Sequence, residues 1–515
     1  MIASVDAILW GGVLRFCQAA LAAGPTLLVG LLVAGVLRKL LGPEATLRAF
    51  GGRGVRSLPQ AWLWGMLLPV CSLGVIPIAY ELRRSGLSGG AILAFALTAP
   101  LFNPLSLLYG LTLSSPVVLV VFALASLVVV TTVGVAWDRC FPGTAQAPTG
   151  EPPAPPGLGR LGAVALTAAR HAAGPALLYC VIGLSGSMVL AAIFPHGSLT
   201  DSMAHTDLTA PLQMLLVAVP AYATPLNVMM QVGGMFVHGN SVGAAFVLLA
   251  LGAGANLGLI AWAWRSYGLR RSAAFLLLFV AVVTGLAYAV EGPLYTAGPI
   301  DHPHTHAFDV YACPFYSASA GLPARVWGAL AGGAPLFEVV ALGCVGLLSA
   351  VGVVLSVRDP GRRIEAWLAL PGPAPRGAGA SLLNATVPGP VLGAVAIAGL
   401  VAVSIVGCYV FYPPPAQTLE DMRFARGEAG AYASSGDVDN ALKSIARYDD
   451  LTRRLQVGYY LRHFSIDEFQ QARARVLRRR LDELKDAVQR GESSRVAELN
   501  AKVFDAHRRL REAFE

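Results

Sequence analysis

Charge is what this sequence has least of. Only 13% of its 515 residues are Asp, Glu, Lys or Arg, against roughly 25% in soluble domains. Hydrophobic residues make up 55%, so an ordinary water-soluble fold is excluded. Metal and disulfide patterns are missing as well. Cys17, Cys71, Cys140, Cys180, Cys313, Cys344 and Cys408 are scattered, with no CxxC pair and no zinc-ligand spacing. The GxxxxGK[ST] phosphate loop is absent, which argues against ATP hydrolysis by this chain. Its polar residues supply no set of nucleophile, base and orienter, so neither an enzyme nor a cofactor is expected.

The charge that is present gathers at one end. Residues 413–515 hold 19 of the 38 Lys+Arg and 17 of the 30 Asp+Glu. They read as a soluble α-helical domain of about four amphipathic helices, with Ser465 and Glu468 fitting a capping box. Elsewhere the basic residues flank apolar runs, as the positive-inside rule requires. The net charge of +8 therefore points to the bilayer and not to nucleic acid.

A span takes about 20 apolar residues. Runs of that kind lie near 16–37, 88–112, 116–136, 163–193, 241–264, 272–290, 323–356 and 388–412, giving about 8 spans. Two further stretches are interrupted: 59–82 by Pro69, Gly74 and Pro77, and 209–236 by Pro220 and Pro225. No cleavage-site pattern follows a charged leader, and Arg15 lies within the first apolar run. The first helix is thus expected to do the targeting.

Segments 141–159 and 371–380, rich in Pro, Gly and Ala, read as linkers. Across the first of them the sequence repeats itself. AAGPTLL at 22–28 returns as AAGPALL at 172–178, and GLSGGA at 86–91 returns as GNSVGA at 239–244. Each of the latter is followed by an asparagine 17 residues after its first glycine, Asn103 and Asn256. Ordered matches at the nearly common offsets of 150 and 153 indicate internal duplication.

Loop charge sets the orientation. Residues 38–57, 265–271 and 358–376 are rich in Lys and Arg and should be cytoplasmic, whereas 194–208 and 291–322 have almost none and should be outside. These sides are compatible only if both interrupted stretches enter and return, the first from the cytoplasm and the second from outside. The expected fold is an all-α polytopic membrane protein with an inverted-repeat, transporter-like core and two re-entrant hairpins. Its organisation is a first membrane repeat (1–140), a linker (141–160), a second repeat (161–290), an outer loop with two more spans (291–412), and an extracytoplasmic helical domain (413–515).

The stretch LPVCSLGVIPIAYELRRSGLSGGAILAFALTAPLFNPLSL at 68–107 resembles the bacterial predicted-permease family that includes the organoarsenical efflux permeases. VPAYATPLNVMMQVGGMFVHGNSVGAAFVLLALGAGANLG at 219–258 resembles that family's second signature more loosely, and the likeness covers roughly 10–290. The resemblance implies a permease of the bacterial inner membrane moving a small solute, with efflux favoured over uptake. The family often carries cysteines on both sides of the small residue after the proline; Cys71 matches the first, but Leu73 replaces the second. A soft ion held by several thiolates would then lack a ligand, which leaves the solute unidentified.

Candidate path residues are Cys71, Ser72, Pro77, Asn103, Thr224, Pro225, Asn227 and Asn256. The prolines free backbone carbonyls, and buried amides must find partners. Glu338 stands within an apolar run and is a candidate coupling carboxylate or a structural pair. His302, His304 and His306 alternate along a predicted outer loop, a spacing that suits a shared metal ion or a solvated surface. Expected partners are the lipid bilayer and a small solute, with a homo-oligomer or an extracytoplasmic protein left open. The alternative from another class is a membrane-anchored sensor or assembly factor acting through its tail and His-rich loop.

Overall fold

A computed structural model describes residues 5–52, 54, 56–113, 116–142, 159–199, 202–237, 239–295, 307–315, 321–369 and 388–515. His302, His304 and His306 lie outside the described residues. Among the described residues the chain is helical, with no strand beyond one antiparallel bridge between Ala204 and Asn240. It forms two compact units, one of residues 1–103 and 121–402, the other of 104–120 and 403–515.

The helices come in two similar series. The first holds α1 (Val5–Val36), a π-helical turn at Leu37–Leu41, α2 (Gly42–Ala49), α3 (Ser57–Leu67), α4 (Val75–Arg84), α5 (Gly89–Thr98), α6 (Pro104–Leu113) and α7 (Pro116–Cys140). The second holds α8 (Gly159–Ala173), α9 (Pro175–Ile193), α10 (Ala210–Ala218), α11 (Pro225–Val237), α12 (Val242–Val247), a π-helical segment at Leu248–Ala253, α13 (Leu257–Tyr267) and α14 (Leu269–Leu294). Then follow α15 (Leu322–Gly333), α16 (Leu336–Arg358), α17 (Arg363–Ala369) and α18 (Gly389–Phe411).

Proline and glycine decide where these helices stop. Pro77 falls in the first turn of α4 and Pro225 is the first residue of α11, positions where the missing N–H costs no helical bond. Each follows an irregular segment, 68–74 or 219–224. Four of the apolar runs are also divided. The run 88–112 breaks at 99–103, between Pro100 and Pro104, and 241–264 breaks at 254–256, where Asn256 caps α13. The run 163–193 parts at Gly174, ahead of Pro175, and 323–356 parts ahead of Leu336, where Pro335 is the N-cap. Five described helical stretches are long and apolar enough to cross a membrane, beginning at Val5, Val117, Pro175, Leu269 and Leu336. The pair Val242–Ala253 and Leu257–Tyr267, bent by 57°, makes a sixth if it counts as one span.

Inside a bilayer apolar contact alone gives helices little reason to associate, so close backbone approach matters more. Glycines provide it. A Cβ on Gly352 of α16 would stand 1.9 Å from the Ala169 carbonyl oxygen of α8, and one on Gly258 of α13 would stand 2.1 Å from that of Tyr179 in α9.

The second unit contains α6, the end of α18, and α19 (Pro415–Ser435), α20 (Val438–His463), α21 (Glu468–Arg490) and α22 (Ser493–Phe514). Met422, Tyr448, Leu455, Leu477, Leu481, Leu484 and Leu510 are all fully buried in its core. Burying one such side chain contributes about 1.5–3 kcal/mol. α6 packs on α20, and the Tyr109 and Tyr412 ring centroids stand 6.5 Å apart. Asp449 joins Arg453 and Arg478, each at 2.8 Å; although burial opposes its charge, the two guanidinium groups hold this carboxyl well below the usual range. The capping box of α21 is formed by Asp467 and Gln470, not by Ser465 and Glu468, because the helix starts two residues later than the sequence pattern suggests.

Candidate functional site

The two irregular segments inside the first unit each rest on a helix of their own series. A Cβ on Gly30 of α1 would stand 2.2 Å from the Gly74 carbonyl oxygen, and one on Gly186 of α9 would stand 1.8 Å from that of Pro220. Only glycine allows the backbone to come so close.

The segments also reach across to the other series. Asn256 Nδ2 donates to Ser72 Oγ at 2.5 Å, while Asn256 Oδ1 accepts from the Leu259 N–H at 2.9 Å. One side chain therefore caps α13 and ties it to segment 68–74. Both residues are completely buried. A Cβ on Gly183 of α9 would meet Leu73 and Asn256, and one on Gly254 would meet Leu101, so the two helix breaks and segment 68–74 lie close together.

Cys71 is fully buried, and its Sγ accepts from the Gly74 N–H at 3.4 Å. Thr224 caps the start of α11 by accepting from the Asn227 N–H at 3.3 Å. Asn103 is buried immediately before Pro104. The structure thus brings Ser72 into direct contact with Asn256, and sets Cys71 beside them in the same segment. Glu338 lies elsewhere, in the first turn of α16, where a carboxylate complements the helix dipole; it is half-buried.

Sequence reading missed Cys180 and Tyr222. Cys180 on α9 and Tyr222 in segment 219–224 both lie close enough to Cys71 to interact electrostatically, and Thr26 also neighbours Tyr222. Among the described residues the buried Tyr222 hydroxyl has no partner of good hydrogen-bond geometry, only Cys71 and Thr26 nearby.

A second missed feature occurs twice. Ser88 caps α5 by accepting from the Ala91 N–H, and its hydroxyl donates to Asp138 of α7 at 2.8 Å; the Gly90 N–H donates to the same carboxylate at 2.8 Å. Ser241 caps α12 by accepting from the Ala244 N–H and donates to Glu291 of α14 at 2.7 Å, with the Gly243 N–H on the same oxygen. The serine and carboxylate are 50 residues apart in both places. Glycine is required at each, because a Cβ on Gly90 or Gly243 would strike the carboxylate and the facing helix. The offset of 153 seen at GLSGGA extends to the two acids, and that was the available signal. Glu291 differs in having His205 Nδ1 at 2.6 Å, with the imidazole stacked on Tyr295.

Known proteins bear on this arrangement. The UPF0718 protein YcgR of Bacillus subtilis (strain 168) is 32% identical over 83 residues, or 16% of this chain and 28% of that protein. The chain thus matches less than a third of that relative's length. No solved structure matches the chain. A family profile described as predicted permease matches residues 10–292, over half of the chain and nearly all of both series of helices. With its apolar helices and its resemblance at 68–107 borne out by that match, the chain is a multi-pass membrane protein that belongs to the predicted-permease family.

Proposed function

We propose that the chain moves a small solute, outward in preference to inward, along a path between two inverted repeats, α1–α7 and α8–α14. Cys71, Ser72, Pro77, Asn103, Thr224, Pro225, Asn227 and Asn256 line that path. The observation that carries the reading is the buried Ser72–Asn256 hydrogen bond, which joins the interrupted segment of one repeat to the helix break of the other. Irregular backbone within a bilayer is tolerated where protein or water satisfies it, and transporter sites are built at such places.

The twice-built Ser–Gly–carboxylate latch supports the duplication. The packing of α6 on α20 supports an extracytoplasmic tail, since α6 follows the predicted crossing from the cytoplasmic turn near Gly86. The test is solute flux in proteoliposomes across metalloids, metals and small organic solutes. Some solute is expected to move, and substitution of Ser72 or Asn256 is expected to slow it without loss of folded protein. Absence of flux across the panel would refute the reading. Accessibility labelling at position 85 should report the cytoplasm, and at 240 and 450 the outside; the same side at 85 and 240 removes the inversion.

A further inference from the structure

One ionisable cluster lies outside the path described above. Glu81, near the end of α4, is an acid and yet only 3% exposed. Its Oε1 stands 2.7 Å from Nε2 of His171 on α8 and 3.6 Å from a guanidinium nitrogen of Arg38, which belongs to the π-helical turn after α1. Three helical elements thus converge on one carboxylate oxygen.

The surrounding charges do not make the imidazole redundant. Arg170, next to His171, is committed to Asp359 at 3.0 Å and to Glu365. Arg84 stands close enough to Glu81 to favour its charge, and Lys39 follows Arg38 in the π-helical turn. Arg83 lies over the Tyr267 ring, 5.0 Å away. Arg362 approaches from the α16–α17 turn and faces Arg38, Arg84 and Arg170. The α2 helix offers Glu44 and Arg48, which are exposed and paired with each other, and α5 offers no charge. Tyr80 faces the other side of the imidazole, with ring centroids 6.3 Å apart. Among these groups only the imidazole ordinarily changes charge between pH 5 and 8.

Position gives the cluster its leverage. Glu81 sits six residues into α4, about 9 Å along the helix from its start and from the segment that holds Ser72. His171 precedes by three residues the Gly174–Pro175 junction where α9 begins, the helix that meets Leu73, Asn256 and Pro220. When α4 and α11 are aligned at their first residues, Val75 and Pro225, Glu81 falls on Gln231, a neutral amide that accepts from the Tyr311 hydroxyl at 2.7 Å. Among the described residues, then, one interrupted pair carries a carboxylate–imidazole tie and the other a neutral amide at the aligned position.

We infer that His171 and Glu81 form a proton-binding site that couples movement of α4 against α8 to the solute path. The inference rests on the permease reading and adds the ligand that drives it. Binding of one proton from water turns a hydrogen-bonded pair into an ion pair and tightens α4 on α8; its release loosens them, and segment 68–74 shifts against Asn256.

Two measurements test this. Infrared difference spectra of the purified full-length protein between pH 5 and 8 need no solute. They should show imidazole and carboxylate bands that disappear in both His171→Gln and Glu81→Gln. The partly exposed His171 keeps the test open if Glu81→Gln does not fold. Bands unchanged in His171→Gln overturn proton binding at this site. In proteoliposomes, a proton gradient should raise flux of whichever panel solute moves by roughly tenfold. His171→Gln should abolish that rise while solute exchange at equal pH persists, and the exposed Glu44→Gln should keep it. Indifference of wild-type flux to the gradient overturns the coupling. So does loss of the response in Glu338→Gln with retention in His171→Gln. If no solute moves, the permease reading and the coupling fall together, and the infrared result alone decides whether the pair binds a proton.

Discussion

The interrupted pairs α3–α4 and α10–α11 begin alike and end differently. In each, an irregular segment of six or seven residues rests on a glycine of a long helix of its own series, α1 or α9, and a proline stands in the first turn of the helix that follows. Further along, α4 carries Glu81 tied to His171 and Arg38, whereas α11 carries Gln231 at the aligned position. Backbone packing is thus common to both, and charge belongs to one. The two pairs therefore share a backbone arrangement and differ at a few side chains.

The largest effects should come from the shared frame. Gly186→Ala and Gly30→Ala each drive a methyl group into a carbonyl oxygen, and overpacking costs about 1–3 kcal/mol or more. Both are expected to cut the yield of folded protein sharply in detergent thermal-stability assays. Gly346→Ala, with open space around its Cβ, should be silent. Tolerance of one of the first pair and not the other breaks the equivalence of the two segments.

The latches come next. Asp138→Ala and Glu291→Ala each remove an acceptor from a serine hydroxyl and a glycine N–H, a loss of about 1.5–3 kcal/mol for a charged hydrogen-bond partner. Matched losses are expected in a denaturation series. An appreciably larger loss for Glu291→Ala would assign real weight to His205, which Asp138 lacks as a partner.

Asn256→Ala is a smaller change, about 1 kcal/mol as a lost helix cap, with the Ser72 contact added. Its flux should fall roughly tenfold, matching 1.4 kcal/mol. Ser72→Ala, which leaves the cap intact, should fall less. Equal losses would mean that the cross-contact, and not the cap, carries the effect.

A separate contrast is with the α19–α22 bundle, which has no counterpart in either series. Burial first, then Arg426 and Arg511, lower the His507 pKa from 6.5 to about 4. The unfolded chain therefore binds more protons across that window, and stability should rise with pH from about 4 to 6.5. Hydrogen exchange of α20 and α22 in the full-length protein should show this slope, and His507→Gln should flatten it.

Much of the frame was legible in the sequence. Pro69, Pro77, Pro220 and Pro225 announced the interrupted pairs, and the recurrence of AAGP and of the glycine-rich motif pointed to the two series. The breaks in 88–112 and 241–264 were not read, because hydropathy alone runs straight through them. Asn103 and Asn256 read as amides in apolar helices, yet asparagine is also a favoured helix N-cap, and Asn256 is one. The contacts of Ser72, Glu81 and Tyr222 had no local signal. Their partners lie 184 residues away in the first case and 90 in the second, and only packing brings them together.

The latches also bear on the order in which the protein is made. Ser88 is synthesised 50 residues before Asp138, and Ser241 50 before Glu291, so each latch closes within its own stretch of nascent chain. By the time the segment 143–158 leaves the ribosome, the first stretch already contains the acid that holds α5 in place. The Ser72 hydroxyl must wait for Asn256, as Glu81 must wait for His171. The contact between the two stretches thus follows the first latch, and a chain stalled between them would be inserted and latched, yet without its crossing point.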